Sequence, residues 1–386
     1  MKHPESDRPP GQVQLSDKMA TPQETTAALV PPVHNHGVRQ NSFAGFSVNE
    51  PAAANRSMPG ASIPKVALLT AAWDKPYALG LASALVANGQ IIDFLGGDAV
   101  DSPELHGNPQ LNYLNLRRQS ADAGVFGKMT RMADYYRRLT AYAATSRAPL
   151  FHILWNNKFE LFDRTLLMLY YKLLGKKIVF TAHNVNTAAR DGYDSFLNRF
   201  SLRVQYRLSD HIFVHTKTMK SELVSDFAVR PDKVTVIPFG INNTVPNTAL
   251  TRAEARDRIG IGADEQALLF FGNIAPYKGL EYLVEAFISL SKKSPRLRLI
   301  ITGRTKGGDN YWNRIEKIIS SSGVADRITQ RIEYVPDEQT ELYFKAADVL
   351  ILPYTQIFQS GVLFLGYSFG LPVVVADVGS LKEEVI

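Results

Sequence analysis

From residue 65 onward the chain alternates short apolar runs with stretches of helical period, and before residue 63 it shows no sustained pattern. The first run, Lys65-Val-Ala-Leu-Leu-Thr70, precedes a helical stretch at about 77–88. A second run at 91–95 ends in the turn residues Gly96-Gly97-Asp98. Further strands are predicted at 112–116, 150–154, 177–181, 211–215 and 233–237, with helices near 128–145, 161–174, 194–208 and 217–226. Apolar strands that alternate with helices imply parallel sheets covered on both faces. Pro238-Phe-Gly-Ile-Asn-Asn-Thr-Val-Pro-Asn247 interrupts the pattern, and a polar helix at 251–259 follows. The alternation then restarts, with strands at 267–271, 297–302, 331–334, 349–352 and 372–376. Helices at 280–292, 310–321, 338–346 and 361–369 lie between and around them. The expected fold is α/β, with two doubly wound Rossmann-like halves at 63–240 and 266–386 joined through 241–265. A ligand cleft should open between the carboxyl ends of the two sets of strands. The pattern stops inside another strand–loop–helix unit, which reads as an incomplete second half.

Composition narrows the picture. Residues 1–62 are rich in Pro, Gln, Ser, Asn, Ala and Thr and read as a disordered tail, because too little apolar surface is present to offset ordering entropy. The absence of cysteine rules out disulfides and thiolate metal sites and fits a reducing, cytoplasmic setting. The eight histidines show no close metal-ligand spacing, so no metal is expected. A net charge of +6 suits phosphate-bearing ligands or an anionic membrane surface. No nucleic-acid partner is expected, since zinc spacing and aromatic RNA-binding motifs are missing. No apolar stretch is long enough to span a membrane; the nearest, at 161–177, is interrupted by Asp163, Arg164 and Lys172. The helix near 128–145 carries Lys128, Arg131, Arg137 and Arg138 with Met129, Met132, Tyr135 and Tyr136, after Arg117-Arg118. Such a helix lies on anionic headgroups at the inner face of a plasma membrane, or else packs its tyrosines inward.

Three segments carry candidate chemistry. In Phe270-Phe-Gly-Asn-Ile-Ala-Pro-Tyr-Lys-Gly-Leu280 a strand ends, a glycine permits a tight turn, and Lys278 and Gly279 open a helix. Backbone N–H groups and one ammonium make a diphosphate cradle; the bland reading is a turn with a solvated lysine. In the second, Gln359-Ser360-Gly361 stands at a helix start, where it offers an anion a hydroxyl and free N–H groups or simply caps the helix. In the third, Thr181-Ala-His-Asn184 ends a strand at the rim of the expected cleft, and His183 is either functional or a structural strand-end residue.

Taken in order with Val236-Ile-Pro-Phe-Gly-Ile-Asn242, Leu299-Ile-Ile-Thr-Gly303, Tyr334-Val-Pro-Asp337, Ala346-Ala-Asp-Val-Leu-Ile-Leu-Pro353 and Asp377-Val-Gly379, these segments resemble retaining glycosyltransferase family 4 over roughly 65–386. The resemblance implies the GT-B fold and, within it, a bacterial surface-polysaccharide glycosyltransferase. It implies that Lys278 neutralises a donor diphosphate and that Ser360, Gly361 and Val362 bind it, with Gly272, Asn273, Gly279, Arg304 and Gln359 nearby. Val335 and Pro336 would border the base, and His183 would face the donor sugar. Asn184, Tyr77 and Gly80 would lie toward the acceptor. The donor would be a UDP- or GDP-linked hexose and the acceptor a glycan or lipid-linked sugar, with no further cofactor. Retention would follow front-face attack, with the leaving phosphate taking the acceptor's proton. The chain departs from the family pattern at Asn273, where an arginine is usual, and at Ile357 and Leu365, where two carboxylates are usual. Those departures keep open a non-catalytic nucleotide-sugar-binding protein and a nucleotide-sugar 2-epimerase.

Overall fold

The computed structural model describes residues 64–118, 125–240 and 245–385. The tail expected at 1–62 and the first residues of the expected linker, 241–244, lie outside them.

Seven strands form the first sheet: β1 (Lys65–Leu69), β2 (Ile91–Gly97), β3 (Leu111–Arg117), β4 (Leu150–Ile153), β5 (Lys177–Thr181), β6 (His211–Val214) and β7 (Val234–Val236). Their order is β3-β2-β1-β4-β5-β6-β7 and every pairing is parallel. The second sheet holds β8 (Gln266–Phe271), β9 (Leu297–Thr302), β10 (Ile328–Arg331), β11 (Val349–Leu352) and β12 (Val373–Val375), in the parallel order β10-β9-β8-β11-β12. Strand order reverses between β1 and β4 and again between β8 and β11. Loops leaving the two strands at such a point diverge, so a crevice opens there. The central strands read as unbroken apolar runs because helices cover both faces: Ala67 and Leu68 of β1 are fully buried, as are Leu299, Ile300 and Ile301 of β9.

The structure shifts two expected elements and decides a third. β10 lies three residues before the strand expected at 331–334: Ile328 is buried beside Leu299, whereas Tyr334 is exposed. The helix expected at 161–174 is broken by a π-helical turn at Asp163–Leu167 between Glu160–Phe162 and Met168–Leu173. That turn buries Asp163 and Arg164, with Arg164 bonded to Glu160 and Asn198. Finally, of the two arrangements left open for helix Val125–Thr145, the tyrosines take the inward-packed one. Tyr135 is buried, the Tyr136 hydroxyl donates to Asp163 at 2.8 Å, and Arg137 and Arg138 pair with Asp134. The tyrosines pack inward, and Met129 is the large apolar side chain that stays exposed beside Lys128 among the described residues.

From Val245 onward the expected linker packs with the second half: Val245, Ala255 and Ile261 join its core, and Arg256 donates to the Ala346 carbonyl and to Asp348. The halves also meet directly. The Glu383 carboxylate accepts from the N–H groups of Lys217 and Thr218 at 3.0 Å, capping helix Lys217–Phe227 from the other half. Thr216 and Ser380 share a buried hydroxyl contact of 2.8 Å, and Phe358 is buried in the core of the first half. No helix among the described residues is long and apolar enough to cross a membrane.

Candidate functional site

A cleft of about 1100 Å³ opens at the carboxyl ends of both sheets and is walled by residues of both halves. From the second half come Gly272, Asn273, Lys278, Arg304, Val335, Gln359, Ser360, Gly361 and Val362. From the first come Tyr77, Gly80 and Asn184. Three expected site residues, Gly279, Pro336 and His183, do not line the wall. Ile357 and Leu365, at the two positions where carboxylates are usual, do line it, so that part of the wall is apolar.

Backbone geometry shapes the donor side. Gly279 has φ +60°, and a Cβ there would stand 2.1 Å from the Pro353 carbonyl oxygen. Only glycine lets the loop after β8 cross the end of β11 and start helix Leu280–Ser291 at that point. Gly303 has φ +143°, and its Cβ would overlap the Gly272 carbonyl, so the loops after β8 and β9 touch backbone to backbone. Close packing brings Asn273 and Arg304 together, at 3.5 Å from Arg304 Nε to Asn273 Oδ1.

Lys278 ends a short 3₁₀ turn, Pro276–Lys278, and is almost fully buried. Its Nζ lies 3.6 Å from the centre of the Tyr354 ring and makes no ion pair among the described residues. Burial, then the neighbouring cations Arg190 and Lys306, push its pKa down from 10.5 to about 7. The three cations ring Tyr277, with Arg190 at 4.5 Å and Lys278 and Lys306 at 5.4 Å from its centroid. One carboxylate, Asp191, bridges Arg190 and Lys306 across the halves. Around Tyr277 three cations thus outnumber one carboxylate, which favours an anion beside Lys278. Two more donors face the same space. Gln359 Nε2 is buried with no partner among the described residues, and helix Gly361–Ser368 starts at the wall without a side-chain cap, so the N–H groups of Gly361 and Val362 point to the space while that of Leu363 donates to the Ser360 carbonyl. Ser360 occupies the cap position but does not cap: its buried hydroxyl shares a 3.3 Å contact with Tyr354.

Arg190, Tyr277, Phe239 and Asp74 are wall residues that the motifs did not single out. Arg190 ends a helical turn, Thr187–Arg190, too short to leave a periodic pattern. The loop carrying Asp74 holds Ala71, Ala72 and Asp74 at positive φ, a strained conformation that glycine would have announced and alanine does not.

His183 stands behind the wall. Its ring stacks on Trp155 at 4.2 Å and meets the edge of Tyr77 at 4.6 Å. His215 Nδ1 faces the Ile237 carbonyl at 3.1 Å, so that nitrogen carries a proton and donates. Burial keeps His215 neutral, which makes its Nε2 an acceptor for His183 Nδ1–H at 3.0 Å. Burial and the two neighbouring histidines hold His183 well below its usual pKa. Its Nε2 is therefore a bare lone pair, and it has no partner among the described residues.

Solved structures share this architecture. Sucrose-phosphate synthase from Thermosynechococcus elongatus superposes with a TM-score of 0.65 at 19% identity, over 84% of both chains. Anabaena Alr3699/HepE in complex with UDP and glucose gives 0.63 at 16% identity, over 84% of this chain and 83% of that one. WaaG, a glycosyltransferase involved in lipopolysaccharide biosynthesis, gives 0.56 at 18% identity, over 84% and 83%. The fold is GT-B. Each half of this GT-B chain also matches a family model: Glycosyltransferase Family 4 at 76–245 and Glycosyl transferases group 1 at 265–386. A D-inositol 3-phosphate glycosyltransferase of Segniliparus rotundus is 28% identical over 218 residues, 55% of this chain and 48% of that one. One from Streptomyces scabiei is 33% identical over 185 residues, 46% and 41% respectively. The chain spans about half the length of the curated relatives it matches.

Proposed function

We propose that this chain is a glycosyltransferase moving a hexose-type sugar from a UDP- or GDP-linked donor to a glycan or lipid-linked acceptor, with retention. Its setting would be polysaccharide assembly on the cytoplasmic side of a membrane. The observation that carries the reading is Lys278, a buried cation without an ion pair among the described residues, set in the wall of an interdomain cleft beside a helix start. A desolvated ammonium of that kind is costly until an anion pairs with it. As the C1–O bond to the donor's β-phosphate breaks, negative charge grows on the leaving oxygen. Lys278, Gln359 Nε2 and the N–H groups opening helix Gly361–Ser368 would stabilise it there, where little reorganisation is needed. The acceptor hydroxyl would form the new bond on the same face and pass its proton to the leaving phosphate. That route needs no carboxylate nucleophile, and Ile357 and Leu365 supply none. His183 Nε2, buried behind the wall, would accept from a donor-sugar hydroxyl once Tyr77, which packs against its ring and lines the cleft, moves aside.

A second reading of the acceptor is a small phosphorylated polyol. Arg190, a wall cation of the acceptor-side half, favours it, as does the name of the curated relatives. Incubation with UDP-, GDP- and ADP-sugars and a panel of acceptors tests the whole proposal. Glycosylated product with free nucleotide diphosphate supports transfer. Nucleotide binding without turnover would mean a binding protein, and an altered donor sugar would mean an epimerase.

A further inference from the structure

A run of exposed apolar side chains of the first half lies outside the cleft. Phe162, Leu166, Leu169 and Leu173 recur every three or four residues and all are exposed, Leu173 by 78%. Beside them helix Phe196–Leu208 exposes Phe196, Leu197 and Phe200, Phe196 by 82%. The two segments pack together through Arg164, which donates to Asn198 at 2.9 Å. An isolated exposed leucine needs no explanation, but seven large apolar side chains on two adjoining helices do.

Charge at the border of this surface identifies what covers it. Along helix Phe196–Leu208 the sequence Phe196, Phe200, Arg203, Arg207 continues one exposed stripe from apolar to basic. Arg203, Arg207 and Lys158, just before the other segment, are exposed and make no ion pair among the described residues. The carboxylates of these helices are already engaged: Glu160 holds Arg164, Asp194 holds Arg199, and Asp163 is buried under Tyr136. A second copy of the chain docked on this face would bring cations and no free carboxylate. Phosphate headgroups above an acyl layer match both parts of the surface.

We propose that the face formed by Phe162–Leu173 and helix Phe196–Leu208 docks on an anionic lipid surface. The face is braced to the cleft. Asn186 Nδ2 donates to Asp194 at 3.0 Å, and Asn198 donates to Asn186 at 2.9 Å and to Asp194 at 2.7 Å. That network ties the start of the apolar helix to the segment holding the wall residues Asn184 and Arg190. A lipid-linked acceptor would thus be met on the side of the cleft that the bilayer approaches. The docking face rests on the lipid-linked reading only for its purpose, and lipid binding and sugar transfer are read in separate assays.

The test is co-sedimentation of the full chain with phosphatidylglycerol-containing vesicles and with pure phosphatidylcholine vesicles. Binding is expected to the first and not the second, with release at high salt. Arg203→Ser/Arg207→Ser should weaken partitioning roughly thirtyfold, and Leu173→Ser/Phe196→Ser by about tenfold or more. All four side chains are exposed, so both variants should keep wild-type circular dichroism and Tm, and wild-type transfer to a soluble acceptor. Equal binding to both vesicle types, no binding, or binding that ignores both double substitutions overturns the proposal. A dimer seen by sedimentation velocity and dissolved by Leu173→Ser/Phe196→Ser, without vesicle binding, also overturns it and assigns the face to a second copy.

Discussion

Replacing Lys278 with Met separates what the cation costs the fold from what it does for a ligand. Folded Lys278 has a pKa of about 7 against an ordinary value of 10.5, a difference worth about 5 kcal/mol. Water in the open cleft reduces this figure, and we expect on the order of 2–3 kcal/mol. The direction follows from proton counting. Below pH 7 both states hold the proton and the full cost of the buried charge is present. Between about pH 7 and 10.5 the unfolded state keeps the proton and the folded state sheds it, so stability rises with pH. Met fills nearly the same volume without charge, so Lys278→Met should be the more stable protein at pH 6. The gain should shrink steadily toward pH 10. The same substitution should lower turnover with a nucleotide sugar by about 10²–10³, as for loss of one preorganised electrostatic donor. Urea unfolding across pH 6–10 and steady-state kinetics measure the two effects. Calorimetry at pH 8 in buffers of different ionisation enthalpy adds a third: nucleotide diphosphate should bind wild type with proton uptake and the variant without it. A variant with the wild-type pH–stability curve, or with undiminished nucleotide affinity and turnover, would refute the reasoning.

Other sites give further tests. His183→Ala should lower turnover by about 10² while nucleotide diphosphate affinity stays within about threefold, because its free nitrogen belongs to the opposite half; kcat and a binding isotherm separate the two. Gly279→Ala should destabilise by roughly 3 kcal/mol in urea unfolding, since a Cβ at φ +60° would meet the Pro353 carbonyl at 2.1 Å. Asp163 has a pKa raised by burial from 3.8 to about 6, so folding becomes less favourable as pH rises through that window. Asp163→Asn can still accept from Tyr136 and should therefore add about 1–2 kcal/mol at pH 8 and nothing near pH 3.

The sequence by itself determined the α/β alternation, because buried parallel strands must be continuously apolar and their helices must show a 3.6-residue period. The same logic put Lys278, Ser360 and Asn184 at strand ends and helix starts, and loops that leave parallel strands all emerge at one edge. Local pattern failed where the deciding contacts are distant. Arg331–Tyr334 has the composition of a strand, yet pairing with β9 selects Ile328–Arg331. Tyr135 and Tyr136 suited a membrane face or the interior equally, and Asn157 and Asp163 draw their hydroxyls inward. Arg190 joined the cleft only because Tyr277, 87 positions later in the chain, supplies the ring it lies on. The state of His183 depends on a chain of bonds through His215 to the Ile237 carbonyl. Periodicity reports which side of an element is buried, whereas protonation, pairing and register are set by partners far apart in sequence, and only the folded chain brings those together.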